Sequence, residues 1–325
     1  MKATYLASIA AALAVLCAGA GAGLAQHAVD AGDLGLPAAL QDPSTVAASG
    51  LLAGSAWLAV PDASGSLGPA LRLAEWRFDD RGNILEQISY DRDGAAPRRV
   101  QYVYLSGLLV ETRNTGMPVV GDFRTSMRYD AENRLVSSES VREDGSLIVR
   151  TAYRYGDRGE MTELATDSPD EATSKRVSIA YDDRGRAVET VVRDARGAVA
   201  ASTRSSFDAA GNLLEQSSYA ASGAPLSTTR NTYDAEGRLV RTVAFNAAGE
   251  MVQMLAHIYD AENRLAESVS SNPPARTSSK TVFEYDVRGL PARVDTFDKL
   301  GRLASSITYR YEYGDKPGSP DPRKE

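Results

Sequence analysis

The chain has 325 residues but only one cysteine, two tryptophans, six phenylalanines and two histidines. The cysteine, Cys17, lies inside an apolar N-terminal stretch. A chain that loses that stretch has no disulfide and no thiol nucleophile. One imidazole in the body of the chain, His257, cannot assemble a His-rich metal centre or a Cys-His pair. Positive charge is also short: the formal net charge is −7. That balance argues against nucleic acid and against an anionic lipid surface as partners. No glycine-rich phosphate loop is present, and no window outside the first residues carries a helical period.

What is present at the start is an export signal. Lys2 is followed by the apolar residues 5–25, which end in Gly23-Leu24-Ala25. Small residues at the −3 and −1 positions, Gly23 and Ala25, suit cleavage before Gln26. Leu16, directly before Cys17, is too large for a lipid-attachment site, and the second half of the stretch is too rich in Ala and Gly to anchor well. Residues 1–25 are therefore read as a signal peptide, with no stable membrane insertion after cleavage. Residues 26–55 read as a flexible N-terminal segment, and residues 314–325, with three prolines, as a disordered tail.

Between them runs a repeat. Aromatic anchors fall at Phe78, Tyr104, Tyr129, Tyr155, Tyr181, Phe207, Tyr233, Tyr259, Tyr285 and Tyr311; after the first two intervals, every step is 26 residues. Nine units thus fill 78–310, with a half-unit cap at 56–77, inside a repeat domain spanning 56–313. An Asp follows most anchors, and Gly or Asn stands three residues later. The pairs are Asp130 with Asn133, Asp182 with Gly185, Asp208 with Gly211, Asp234 with Gly237, Asp260 with Asn263 and Asp286 with Gly289. Asp folds its side chain onto amides two residues on, and Gly or Asn accepts a left-handed backbone, so each pair marks a hairpin turn. A second turn, usually with Gly, lies at mid-unit. Between turns the residues alternate, as in Thr151-Ala152-Tyr153-Arg154-Tyr155, which is a strand pattern. The spacing predicts two antiparallel strands per unit. The fold class expected is all-β: an elongated, coiled antiparallel sheet of 26-residue hairpins, with the Tyr face inward.

The stretch 233–250, Tyr-Asp-Ala-Glu-Gly-Arg-Leu followed by a second Gly turn, resembles the YD repeat of the RHS family. The resemblance covers about 78–315. It implies an exported or surface-exposed β-rich protein; large members enclose a toxin or act in adhesion, and some are credited with carbohydrate binding. This chain is too short to enclose a cargo and has no toxin domain after its last unit, so the resemblance implies the repeat and not the delivery function.

The repeat-face aromatics Tyr129, Tyr155, Tyr181, Phe207, Tyr233, Tyr259 and Tyr285 are read as packing residues, because a packing need recurs in every unit and a catalytic need does not. His257 occupies a strand slot that holds aromatics in other units. Arg134, Arg186, Arg238 and Arg264 follow the turns and read as a solvated charge pattern. No catalytic, cofactor or metal residues are assigned, and no cofactor is expected. The function read from these features is an exported, non-enzymatic scaffold, periplasmic or secreted, that binds a glycan or an envelope protein. The alternative is a secreted carboxylate-dependent hydrolase acting on polysaccharide. Edge-to-edge self-association is left open by an unclosed sheet.

Overall fold

A computed structural model describes residues 37–91 and 97–314. The signal-peptide and tail expectations lie outside these residues, apart from Gly314. Twenty strands are found among the described residues, starting with β1 (Leu51–Ala59), β2 (Leu71–Phe78) and β3 (Ile84–Ser89) and ending with β19 (Pro291–Phe297) and β20 (Leu303–Tyr313). Each strand pairs antiparallel with its sequence neighbours. β1 pairs with both β2 and β20, so the sheet closes.

This corrects the expected fold class. The sheet is a closed twenty-stranded antiparallel barrel, not an elongated coiled ribbon. Two features account for the closure. The first is a stagger. Ser205 pairs with Gln216, and Gln216 with Thr229, two residues short of Asn231, the position one repeat beyond Ser205. Followed through all the registers and across the seam, this stagger accumulates to a shear of about twenty residues for the twenty strands, the one-to-one ratio at which barrel strands tilt by about 36°. Strands spaced by about 4.8 Å at that tilt make a ring roughly 35–40 Å across and about 25 Å tall.

The second feature is the N-terminal segment. Residues 37–55, inside the stretch expected to be flexible, form a 3-10 turn at Ala38–Leu40, helix α1 (Pro43–Ser49) and the start of β1. Asp42 caps α1 by accepting from the Ser44 amide, Pro43 opens the helix, and Gly50 ends it in a left-handed conformation. The Leu40 and Val46 side chains are buried with Leu51, Ala56, Leu58, Leu73, Trp76, Phe78, Leu290, Val294 and Ile307. This cluster joins both sides of the seam. A smaller cluster, Met161, Leu164, Val177 and Val192, lies far round the ring.

Elsewhere the wall is one sheet thick. Substantial contacts between strands are confined to ladder neighbours. On β12 (Val199–Phe207), Thr203 and Ser205 are half-buried, whereas Arg204 and Ser206 are exposed. β8 (Leu147–Tyr155) repeats the pattern, with Thr151, Tyr153 and Tyr155 covered and Arg150, Ala152 and Arg154 exposed. Side chains converge on the concave side of a ring and diverge on the convex side. The better-covered Tyr face is accordingly the inner one.

Candidate functional site

The repeated motif is a joint between successive units. In the turn after Tyr233, the Asp234 amide donates to the Arg238 carbonyl at 3.0 Å and the Gly237 amide to the Asp234 carbonyl at 3.1 Å. Asp234 Oδ1 accepts from the amides of Glu236 and Arg238, at 3.1 and 2.8 Å. Gly237 has φ +78°, which explains Gly or Asn at this place. Asn133 and Asn263 adopt the same conformation, with φ of 61° and 63°. The same two backbone bonds close the turns led by Asp130, Asp182, Asp208, Asp260 and Asp286, with Gly185, Gly211 and Gly289 in the left-handed place. The unit at Tyr104 is a residue short because Ser106 and Gly107 both take positive φ, 53° and 79°, as a two-residue hairpin turn requires.

Arg238 then reaches in two directions. Its Nε donates to Asp234 Oδ2 at 2.7 Å, and its Nη1 to Asn263 Oδ1 of the next unit at 2.7 Å. Its guanidinium lies 4.9 Å from the centre of the Tyr259 ring. The Tyr259 hydroxyl in turn donates to the Leu239 carbonyl at 2.8 Å. Every letter of Tyr-Asp-x-x-Gly-Arg-Leu is therefore used: Leu lends its carbonyl, Arg its charge, and the next Tyr binds both. Arg134 stacks on Tyr155, Arg186 on Phe207 and Arg264 on Tyr285 in the same way. Tyr129, Tyr155, Tyr181, Tyr233 and Tyr285 each donate to a carbonyl twenty residues back, those of Leu109, Leu135, Met161, Leu213 and Leu265. Phe207 has no hydroxyl; there Arg186 donates to the Asp208 carbonyl at 3.0 Å instead.

The post-turn arginines are thus tied into the wall, and differ in this from the solvated pattern expected of them. The electrostatics agree. The Arg186 side chain, and then its amide, hold the Asp182 carboxyl below the usual carboxylate range. Asn212 does the same for Asp208, and the Arg302 amide and side chain for Asp298. Burial pushes the Tyr309 phenol up to about 12 and raises that of Tyr311 as well. His257 is buried on the Tyr face, on the same strand as Leu255 and Tyr259. Among the described residues, no group of three or more His, Cys, Asp or Glu is placed to hold a metal ion.

The registers also sort charge by face. Mid-strand positions of the inner face are uncharged among the described residues; charged groups on it stand only at strand ends, as with Arg98, Arg142, Lys175 and Asp194. The outer face carries cross-strand ion pairs: Arg150 with Glu139, Arg204 with Glu189 and Arg230 with Glu215. Arg204 and Arg230 lie over Tyr219 and Phe245. Beside Phe297, where Ser271 stands one repeat before that aromatic, an open depression is lined by Ser278, Lys280, Val282 and Lys299.

No family's sequence profile matches the chain, and no curated protein matches it. Solved structures similar to it include a porin-like protein from Bacteroides uniformis, 10% identical with a TM-score of 0.38, over 81% of this chain and 97% of that one. A porin-like protein from Bacteroides vulgatus is 11% identical with a TM-score of 0.29, over 79% and 97%. The complex TcdB2-TccC3-Cdc42 includes a chain 14% identical with a TM-score of 0.23. The match covers 78% of this chain and spans about a fifth, 22%, of that much longer one.

Proposed function

We propose that this protein is an exported, non-enzymatic ring scaffold built from repeats of the YD type, acting in the cell envelope or outside the cell by binding a glycan or a protein partner. One observation carries the reading. The side chains that recur most regularly, Tyr, Asp and Arg, are consumed in joints between units, and the same joint is made again and again around the wall. Such chemistry builds a surface rather than a single reactive centre.

The barrel is not suited to lipid on either side. A membrane barrel needs an outward apolar band about 25 Å tall. Here the outer face holds Arg150, Arg204, Glu215 and Arg230 at mid-strand, and the inner face holds Thr151, Thr203, Gln216 and Thr229. The ring is read as standing in water, reached through the export signal at residues 1–25.

The experiment is cell fractionation with and without that signal. The full chain is expected in the soluble periplasmic or culture fraction, and the chain starting at Gln26 is expected to stay in the cytoplasm. Recovery only with membranes after a carbonate or high-salt wash would defeat the reading.

A further inference from the structure

The inner wall carries a chemistry that the joints do not use up. On β12, β13 (Leu213–Ala220) and β14 (Pro225–Tyr233), Thr203, Ser205, Gln216, Ser218, Thr229 and Asn231 share the inner face. All are half-buried, not sealed. A collapsed barrel would have packed them into a core; this ring leaves them facing a bore roughly 20–25 Å wide, once inner side chains are allowed for. The row is uncharged for its whole length, while the charges of the same strands point outward: Arg204, Glu215 and Arg230. Asn231 is engaged, donating to the Leu213 carbonyl and accepting from the Thr242 hydroxyl, and Gln216 donates to Ser205 at 3.4 Å. The hydroxyls of Thr203, Ser218 and Thr229 and the remaining capacity of Gln216, able to donate and accept, match a ligand that presents hydroxyls at regular spacing. A polyanion or polycation would enter a bore that offers no opposite charge and would lose hydration without return. Aromatic faces on the same wall, Tyr153 and Phe283 among them, supply apolar patches for the flat side of a sugar ring.

We infer that the bore is the ligand-binding surface and that its ligand is a neutral, hydroxyl-rich polysaccharide chain lying along the inner wall. This rests on the scaffold reading and narrows it to one face and one charge class. The outer ion-pair face then plays no part in binding this ligand.

The test uses the full mature chain in calorimetric titration against three probes: a neutral β-glucan hexasaccharide, a galacturonate hexamer of similar size, and a permanently unfolded, carboxymethylated protein. The expected result is binding of the neutral glycan in the millimolar range or tighter, with the galacturonate at least about tenfold weaker. Gln216→Glu, which keeps shape and adds charge, is expected to weaken neutral-glycan binding about tenfold. Thr203→Val, which keeps shape and removes a hydroxyl, weakens it less. Arg204→Gln and Arg230→Gln, outside the ring, leave it unchanged. Thermal melts of each variant separate lost binding from lost fold. The inference is overturned if galacturonate binds as well as the neutral glycan, if only the unfolded protein binds, if no neutral glycan binds at millimolar concentration, or if the outer variants weaken binding as much as the inner ones. In that last case the scaffold reading survives and only the choice of face is lost.

Discussion

The seam and the far wall of the ring are built from the same strands but held by different forces. At the seam, β1 is clasped between β2 and β20, and α1 lies against the turn before β3, over a core that includes Trp76 at 1% exposure and Val46 at 0%. In the wall around β12 to β14, the most buried side chain is Ser217 at 9% exposure; neighbours are linked by ladder bonds, ion pairs, the Tyr233 bond to the Leu213 carbonyl and the stack of Arg186 on Phe207. Among the described residues, the seam is the only place where sequence-distant strands meet, since β1 is the first strand and β20 the last. Its closure entropy must be offset there, and the apolar cluster supplies the means. The wall grows by local hairpins and needs less.

The largest effect tests the ring as a whole. Deleting one unit, residues 207–232, removes two strands and is expected to leave a closed ring with a cooperative melt. Deleting half a unit, residues 207–219, leaves an odd number of strands, which cannot alternate direction all the way round. Loss of the cooperative melt by circular dichroism, and aggregation in gel filtration, are expected for this second deletion only. Equal damage from both would mean that the units are not interchangeable pieces of wall.

Next comes the seam core. Trp76→Ala is expected to cost about 3–5 kcal/mol, the range for emptying a packed aromatic site. Phe245→Ala, on the half-covered outer face of the far wall, is expected to cost about 1–2 kcal/mol. Chemical denaturation reads both, and a reversed order would remove the distinction between seam and wall.

The turns sharpen the same contrast. Gly237 and Gly82 both have φ +78°, but a Cβ on Gly237 would meet nothing within 4 Å, whereas one on Gly82 would lie 2.0 Å from the Pro43 carbonyl oxygen. Gly237→Ala should cost about 1–2 kcal/mol from backbone strain alone. Gly82→Ala must also push α1 off the seam, so its melting point should drop markedly further. Equal drops would show that α1 contributes little.

Arg238→Ala removes a stacked charge and its bonds to Asp234 and Asn263. Because the guanidinium is part-exposed and screened by solvent, the expected effect is a small but measurable loss of stability, less than that of Gly82→Ala. A neutral result in denaturant melts would return these arginines to mere solvation.

The smallest effect is on pH. Asp182, Asp208 and Asp298 have carboxyls held below their ordinary 3.8 by turn amides and side chains. A depressed carboxyl adds stability that is full above the unfolded value and drains away as pH falls through the lower folded one. The wall turns should therefore loosen below about pH 4, before the apolar seam does. Hydrogen exchange of the Gly185 and Gly211 amides, compared with amides of β1, would show this order or refute it.

Much of the wall is legible in the sequence, and the reasons are local. Asp234 and Gly237 place a turn by their own backbone chemistry, and the alternation of Thr151, Tyr153 and Tyr155 assigns them a face. Closure is not local. It depends on Gln216 pairing with Thr229 rather than with Asn231, and neither alternation nor turn residues state that register. The role of Arg238 was hidden for a similar reason, because its ring partner, Tyr259, lies in the next unit. The seam segment is a different case. Asp42-Pro43 is a readable helix start, but it stands among Ala and Gly, and only the fold shows that Leu40 and Val46 have a core to enter. The charge-free inner row was also readable once the faces were known, since every second residue of 199–207 is Val, Ala, Thr, Ser or Phe.

The stagger of two residues per unit has a consequence for how such a ring changes size over generations. An in-frame duplication or loss of one unit alters strand number and shear together, so their ratio and the strand tilt stay fixed. Only the calibre moves, by about 4 Å for each unit. The joints between the remaining units keep their partners, and only the one at the new junction is changed. Aperture is therefore inherited in discrete steps, and a lineage of these chains would be sorted by bore diameter before it diverged in side-chain detail.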